Sequence, residues 1–548
     1  MRRRTGRTCA AATLAIGMPA AALAVDIPAV EAESPISSAA VRTAADGRAS
    51  ARFDTVANRT DSPVSAEGHE RVVASVRVVR RSTGKPVSGR VWFVDLDGFR
   101  VSAKVRLSRR GWATVSRDLP PGTHPGSATY RVRYGGNASM RPVTSRSGIT
   151  FRVSMPPRDD TVDATWAAAP DVTNQDVGDV SGMAGYDPNY GNSWNQTMED
   201  SVNWVYRTIA SHDPGALLVT GDLVEGRWGN PSNTSGLFGA PDDPTTMARN
   251  QAAFYHAENA RRFAAAGLFD RVYPALGDHD IGDNPWGDGT PYTHWKREHI
   301  YLWRQAFSQA YLHTLDGAPK YFSHPVGTEW DQTAYATMIN PQTLVVTLDV
   351  FNRKATTVGV EVVGGQLRWL RDVLAEARRT GVRWIIVQGH APILPAASFH
   401  SSGLHINGGT SSPLWKALVR YHVNLYLAGE MHATSRVSRD GVTQLVTGAP
   451  LGTGLTTFAT VAEYHDRMTF TLHGWGVPKT ADGPLWGGGC AVPVLEADPH
   501  APGCTWSRNA PGNRAFQGTY PTREGTLSIY LNGRASSGSG NLVAYAGS

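Results

Sequence analysis

An α/β domain preceded by an all-β sandwich is the fold class this sequence predicts. Three observations carry the expectation. Beyond residue 160, apolar strand-like runs alternate with helix-length segments. Between residues 67 and 153, short period-two stretches are separated by turn clusters. The 548 residues exceed what one hydrophobic core serves, and 41% hydrophobic with 18% charged residues is a globular balance, so two or more folded domains are expected.

The elements follow in order. Residues 1–24 read as a signal peptide: Arg2, Arg3, Arg4 and Arg7 open it, an Ala-rich apolar stretch follows, and Ala22-Leu23-Ala24 is a small-x-small cleavage site. That stretch is shorter than the ~20 residues that span a bilayer, and no later segment is long and apolar enough, so a secreted protein without a transmembrane segment is expected. Residues 25–66 read as a flexible leader. Within 67–156, strands are expected at Val72–Val79, Arg90–Asp95, Val101–Leu107, Ala113–Arg117, Ala128–Tyr134 and Thr150–Val153. The α/β domain spans 161–475. Its strands are expected at Ala164–Ala169, Ala216–Thr220, Val272–Leu276, Leu344–Leu348, Trp384–Val387 and Leu425–Ala428. Its helices are expected at Gln196–Ser211, Met247–Ala266, Thr293–Leu312, Gln366–Arg379 and Pro413–Tyr421, with Trp369, Leu370, Val373 and Leu374 on one buried face. Residues 476–548 read as a C-terminal elaboration.

Charge and cysteine usage narrow the classes. The formal charge is +6, and loss of residues 1–24, with four Arg and no acid, leaves +2. That modest value gives no argument for a nucleic-acid partner. The exported chain would keep Cys490 and Cys504, an even pair expected to form a disulfide worth about 3 kcal/mol at most.

The chemistry is expected at the strand ends. Leu218-Val219-Thr220 runs into Gly221-Asp222. Tyr273-Pro274-Ala275-Leu276 runs into Gly277-Asp278-His279-Asp280. Ile385-Ile386-Val387-Gln388 runs into Gly389-His390, and Leu425-Tyr426-Leu427-Ala428 into Gly429-Glu430-Met431-His432. Each is an apolar strand, a glycine that permits a tight turn, and a carboxylate or imidazole. Ligands gathered at the carboxyl ends of strands are where open α/β folds build their sites. Mixed carboxylate and imidazole donors suit Zn, Mn or Fe. Two such ions can clamp the attacking and leaving oxygens of a phosphate ester.

These four blocks, in this order, resemble the calcineurin-like metallophosphoesterase superfamily, which includes purple acid phosphatases. The family pattern is D-x-H, G-D, G-N-H-[DE], a lone His after a strand, then G-H-x-H, and the resemblance covers Asp163 to Leu472. It implies a four-layer α/β/β/α sandwich and hydrolysis of a phosphate mono- or diester by metal-bound hydroxide. It places Asp222 as the carboxylate bridging two di- or trivalent ions, with Asp278, His390, Glu430 and His432 as further ligands. His279 would hold the phosphate or assist the leaving group, with Asp280 to orient it. For the first ligand Asp171 stands directly after its strand, and Asp176 and Asp179 are the alternatives. Thr173 takes the place of the family's first His. Asp278 and Glu430 replace neutral ligands by anionic ones, which favours Mn or Fe over Zn.

Lesser positions are weighed on the same residues. Glu225 stands where purple acid phosphatases carry a Tyr, against that otherwise rival phosphomonoesterase reading. Arg227 offers a phosphate fork or a plain surface charge. His400 and His405 read as rim residues, and Asp349 as structural. Thr173 and Glu430 favour the other rival, a cell-surface binding protein with a degenerate metal site. The segment Leu119-Pro120-Pro121-Gly122-Thr123-His124, with Tyr130 and Gly135-Gly136-Asn137, resembles bacterial Ig-like repeats. That resemblance implies a spacer, or a contact with the cell wall or surface.

Overall fold

The computed structural model describes residues 48–59, 71–119, 123, 125–171, 180, 182–184, 196–224, 236–240, 242–282, 293–396, 404–431, 434–448, 456–475, 522–536, 539–540 and 543–544. The first part is all β: β1 (Ala51–Arg59), β2 (Arg71–Arg80), β3 (Arg90–Val94), β4 (Val105–Arg106), β5 (Trp112–Asp118), β6 (Gly126–Tyr134), β7 (Val143–Thr144) and β8 (Ile149–Val153). One sheet has the order β1-β2-β5, the other β4-β3-β6-β7 with β8 also on β6. Alternation sets which residues turn inward. Ala113, Val115 and Arg117 are buried on β5 between exposed Trp112, Thr114, Ser116 and Asp118. Val76, Val78, Val91, Phe93, Val115, Val132 and Phe151 share one core.

The second part follows as β9 (Ala164–Ala168), α1 (Gln196–Ser211), β10 (Leu217–Val219), α2 (Pro244–Ala265), β11 (Val272–Pro274), α3 (Thr293–Tyr311), β12 (Tyr335–Asn340), β13 (Thr343–Thr347), β14 (Phe351–Arg353), β15 (Val358–Val360), α4 (Gly364–Thr380), β16 (Trp384–Gln388), α5 (Pro413–Arg420), β17 (Leu425–Ala428), β18 (Thr434–Arg439), β19 (Val442–Thr447), β20 (Thr456–Glu463), β21 (Arg467–Trp475), β22 (Thr522–Tyr530), β23 (Ser539–Gly540) and β24 (Val543–Ala544). Two seven-stranded sheets result, ordered β11-β10-β9-β20-β21-β22-β23 and β12-β13-β16-β17-β19-β18-β24. Strands β9, β10 and β11 are parallel in the first, as are β13, β16, β17 and β19 in the second.

Period-two alternation splits each central strand between two cores. Trp166, Leu218, Trp384, Ile386, Leu427 and Phe470 form one cluster. Their strand neighbours Leu217, Val219, Ile385 and Val387 join helix residues such as Ile209, Phe263, Leu370 and Leu418 in another. A strand buried on both faces reads as an unbroken apolar run, as Trp384–Gln388 does. The helices stop and start on local chemistry. Ser412 caps α5 by accepting from Trp415 N at 3.1 Å, with Pro413 at its first position. Gly381 ends α4 in the left-handed conformation, φ 86°.

Two expectations change. β1 lies inside the span read as a leader, and it pairs antiparallel with β2 from Ala51↔Arg80 onward. The strand expected at Val101–Leu107 is only Val105–Arg106. The stretch read as a C-terminal elaboration builds on both large sheets: β22 pairs with β21 and β24 with β18, and Leu527, Ile529 and Leu531 are buried in a shared core cluster with strands of both. Cys490 and Cys504 lie outside the described residues. No helix among the described residues is long and apolar enough to cross a membrane.

Candidate metal centre

Five strand ends meet at one rim. Asp171, Asp222 and Asp278 follow β9, β10 and β11 of the first sheet; His390 and Glu430 follow β16 and β17 of the second. Ligand atoms of Asp222, Asp278, His390 and Glu430 all lie within 4.8 Å of one another, and all four residues are buried. His390 is the hub. Its Nδ1 stands 2.8 Å from the Thr220 carbonyl, and a carbonyl only accepts, so Nδ1 carries the proton. Nε2 then faces the carboxylates, 2.9 Å from Asp278 Oδ1, 3.0 Å from Glu430 Oε2 and 3.4 Å from Asp222 Oδ1.

Asp171 joins the group from behind. Its Oδ1 accepts from the Glu430 backbone N–H at 2.9 Å and stands 3.8 Å from His390 Nδ1. The other oxygen of Glu430, Oε1, accepts from Leu404 N at 2.9 Å, which fixes its orientation. Asp171, Asp222 and Glu430 have φ of 47°, 54° and 69°, half of the six non-glycine positive-φ residues described. Backbone strain is thus gathered at the site, where surrounding contacts must sustain it.

The glycines before the ligands act mainly through close approach. Only Gly221, at φ 102°, needs its own backbone freedom. A Cβ on Gly429 would stand 2.7 Å from Thr220 O, 2.9 Å from Asp171 Oδ2 and 3.0 Å from His390 Nδ1. One on Gly277 would overlap Asp222 itself.

His279 is the partly exposed imidazole, with 18% of its side chain accessible. Its backbone N–H donates to Asp222 Oδ1 at 3.3 Å, and its Nε2 lies 3.8 Å from Asp222 Oδ2. Asp280 does not orient it. Its Oδ1 accepts from Leu223 N and Val224 N at 3.0 and 3.1 Å, and its Oδ2 from Gly277 N at 2.8 Å. Asp280 therefore clamps the Asp222 loop to the Asp278 loop. A buried polar chain backs that clamp: Tyr206 donates to Asn259 at 2.7 Å, and Asn259, Tyr311, His256 and the Asp280 carbonyl follow in 3.3 Å steps.

The electrostatics call for a cation. Burial pushes Asp171 up to about 7 and Asp222 well above the carboxylate range. Burial and the Asp278 charge also raise Glu430. Burial acts to raise Asp278 too, but the charge of His279, the hydrogen bond from His390 and the Lys296 ammonium hold it below the usual range. Burial would lower His390, yet Asp222, Asp278 and Glu430 together lift it well above the ordinary imidazole value. A proton on Nε2 is thus gripped by the carboxylates that would grip a metal ion. The donor set fits one: oxygen-rich, with one imidazole whose tautomer is fixed by a carbonyl behind it.

The sequence did not single out Thr220, Leu404 or Lys296. The first two act through backbone atoms, which leave no compositional trace. Lys296 is buried, yet Lys296-Arg297-Glu298 at the start of a helix reads like any solvated turn. Asp349 is structural as expected: it accepts from Arg304 Nε at 2.8 Å and Thr333 Oγ1 at 2.6 Å. Trp369 packs half-buried against the helix-side core and donates to Ser323. His405 is exposed and outside the ligand cluster. His432, Thr173, Asp176, Asp179, Glu225, Arg227 and His400 lie outside the described residues.

Carboxylates and an imidazole brought by parallel strand ends to one buried cluster define a metal-dependent hydrolase centre on an α/β scaffold. Residues 176–433 match the calcineurin-like phosphoesterase family, and the chain carries a domain of that family, making it a hydrolase of phosphate esters. Solved structures similar to it include a structure of PhoD, 13% identical, TM-score 0.41, covering 90% of this chain and 92% of that one. A dimetal phosphatase from Danio rerio is 14% identical with TM-score 0.35, covering 57% and 97%. The purple acid phosphatase PPD1 of yellow lupin seeds is 12% identical with TM-score 0.34, covering 78% and 72%. All three TM-scores are below 0.5, and the family assignment rests on the match over 176–433. Among curated proteins none matches.

Proposed function

We propose that the chain hydrolyses phosphate mono- or diesters at a two-metal centre whose ligands are Asp171, Asp222, Asp278, His390, Glu430 and His432. The observation that supports this most is Nε2 of His390, within 2.9–3.4 Å of carboxylates from three other strand ends. When bound, the pair of cations supplies Lewis acidity and lowers the pKa of water. The remaining work falls to the chain. Asp222 lies between His279 and His390, which suits the bridging position. His279, at the accessible side, steadies the phosphate and the leaving oxygen. Asp280 keeps the Asp222 and Asp278 loops in register from behind.

Four carboxylates make a hard, anionic donor set, which favours Mn or Fe over Zn. Stoichiometric zinc alone in native protein would count against that preference. The functional test is Asp222→Asn: it should stay folded, lose metal, and lose at least about a hundredfold of its turnover on a generic phosphodiester. Full turnover in that variant would remove the assignment. A chain that neither binds metal nor turns over mono- or diesters would instead be a binding protein.

We read the two large sheets and their helices as the four-layer α/β/β/α sandwich, and residues 67–156 as an Ig-like module, now extended by β1. A signal peptide over 1–24, export, and a Cys490–Cys504 disulfide complete the reading. Exported material whose mass corresponds to a chain starting at Val25, two hydrogens short of the reduced value, would support all three.

A further inference from the structure

The all-β part carries a charge the whole-chain value conceals. Between Arg71 and Val153 there are 17 Lys and Arg against three acids, Asp95, Asp97 and Asp118. The rest of the chain is therefore net negative. The cations are not spread evenly in their surroundings.

Paired residues of an antiparallel sheet share a face, as do alternate residues of a strand. On the sheet built around β3 and β6, Arg90 pairs with Arg106. Trp92 pairs with Arg133 and Val94 with Arg131. Ser127 pairs with Arg152 and Thr129 with Thr150. The alternate positions Val91, Phe93, Tyr130, Val132, Tyr134 and Phe151 are in the core, so this set lies on the opposite face, exposed at Arg90, Arg106 and Arg152, half-buried at Trp92, Arg131 and Arg133, and buried at Val94. It holds five arginines and no acid. Lys104 sits 5.2 Å over the Trp92 ring and adds a sixth cation. None of the five arginines forms an ion pair among the described residues, and Arg131 Nε is buried with no hydrogen-bond acceptor among them.

The other sheet is the internal control. Three of its outward arginines have carboxylate partners: Arg71 pairs with Asp118 at 2.5 Å, and Arg77 and Arg52 share Asp54 at 2.9 and 3.6 Å. Among the described residues, the ion pairs of this domain's outward arginines thus lie on this sheet's face, and the face around β3 and β6 has none.

We propose that the outer face of the β4-β3-β6-β8 sheet is a binding surface for a linear polymer carrying repeated phosphates. Five of its six cations are Arg, whose planar fork matches a phosphate in two-point contact. Arg131 and Arg133 are two residues apart on one face, about 6.6 Å along the strand, and neighbouring strands add rows about 4.8 Å away. That is a ladder for serial charges rather than a pocket for one. A single-stranded nucleic acid would use open aromatic platforms for its bases. The face offers one aromatic, Trp92, and Lys104 already lies over its ring. The proposal stands without the hydrolytic reading, since none of these residues belongs to the metal centre.

The test is binding of the full-length, metal-loaded protein to end-immobilised linear polyphosphate, with excess orthophosphate present to occupy the catalytic centre. Binding should weaken as salt rises. Arg131→Gln with Arg133→Gln should weaken it by at least about tenfold and lower the log–log salt slope by about 0.7 per arginine removed. Arg71→Gln, on the paired face, should change it little. Arg90→Gln with Arg152→Gln, both exposed, repeats the measurement should the first pair disturb folding. Turnover of a small phosphoester should be unchanged in every variant. Absence of polyphosphate binding, equal loss in Arg71→Gln, or binding to oligo-deoxythymidine or phosphatidylglycerol vesicles more than about tenfold tighter than to polyphosphate would each overturn the proposal.

Discussion

The Nδ1–H of His390 is donated to the carbonyl of Thr220 at 2.8 Å, so an atom of the first large sheet sets the tautomer of a side chain on the second. The imidazole therefore presents Nε2 to the carboxylates without having to choose. His390→Asn should keep the fold but weaken metal affinity by more than the ~100-fold upper range for loss of an outer-shell partner. Chelator competition on the purified variant measures this, and an unchanged affinity would place His390 outside the ligand set.

Gly277 and Gly429 should resist even a methyl group. A Cβ at 429 meets three site atoms within 3.0 Å, and one at 277 meets Asp222. Overpacking of this kind costs about 1–3 kcal/mol. Gly277→Ala and Gly429→Ala should each lower Tm and turnover together. Gly267→Ala, whose Cβ would meet nothing within 4 Å though its φ is 74°, should lower Tm while leaving turnover intact.

Asp280 predicts a graded series. Alanine leaves three buried N–H groups, of Leu223, Val224 and Gly277, without their acceptor, at a cost of about 1–3 kcal/mol each. Asparagine keeps one oxygen for Leu223 and Val224 and should cost less. Denaturant midpoints should rank wild type, Asn, Ala. The pH profile of kcat should keep its shape in both, because the carboxylate positions loops and touches no substrate. A displaced limb in the Asn variant would instead tie Asp280 to His279.

Acid should unfold the chain partly through His256. Burial pushes its imidazole down to about 3 from an ordinary 6.5. A depressed folded value means the contribution is intact above 6.5 and is lost as pH falls from there toward 3. The full shift corresponds to about 5 kcal/mol. His256→Gln should flatten the stability curve between pH 6 and 4, read by denaturant titration at each pH. An equally steep curve would show that other groups govern acid unfolding.

What the sequence made legible follows from how each part is stabilised. β16 and β17 are buried on both faces, so Trp384–Val387 and Leu425–Ala428 are visible as apolar runs, and their following His390 and Glu430 are visible with them. Helix α1 is found at Gln196–Ser211 as expected. β1 is hidden because Arg52, Asp54 and Asn58 break its apolar pattern, and its partner β2 supplies the stability. β22 is separated from β21 by 46 residues, and pairing across such a gap has no local signature. Asp280 was legible as important but not in role, since its partners are backbone N–H groups brought together only by folding. The cationic face was hidden by summing charge over a chain whose parts have opposite signs.

The most direct measurement is titration of chelator-stripped, full-length protein with Mn²⁺, reading bound metal and phosphodiester turnover on the same samples. Two ions bound per chain, with turnover rising alongside and neither appearing in Asp222→Asn, is the predicted result. Turnover that persists in the stripped protein, or in Asp222→Asn at the wild-type level, would contradict the assignment of the carboxylate–imidazole cluster as the catalytic centre.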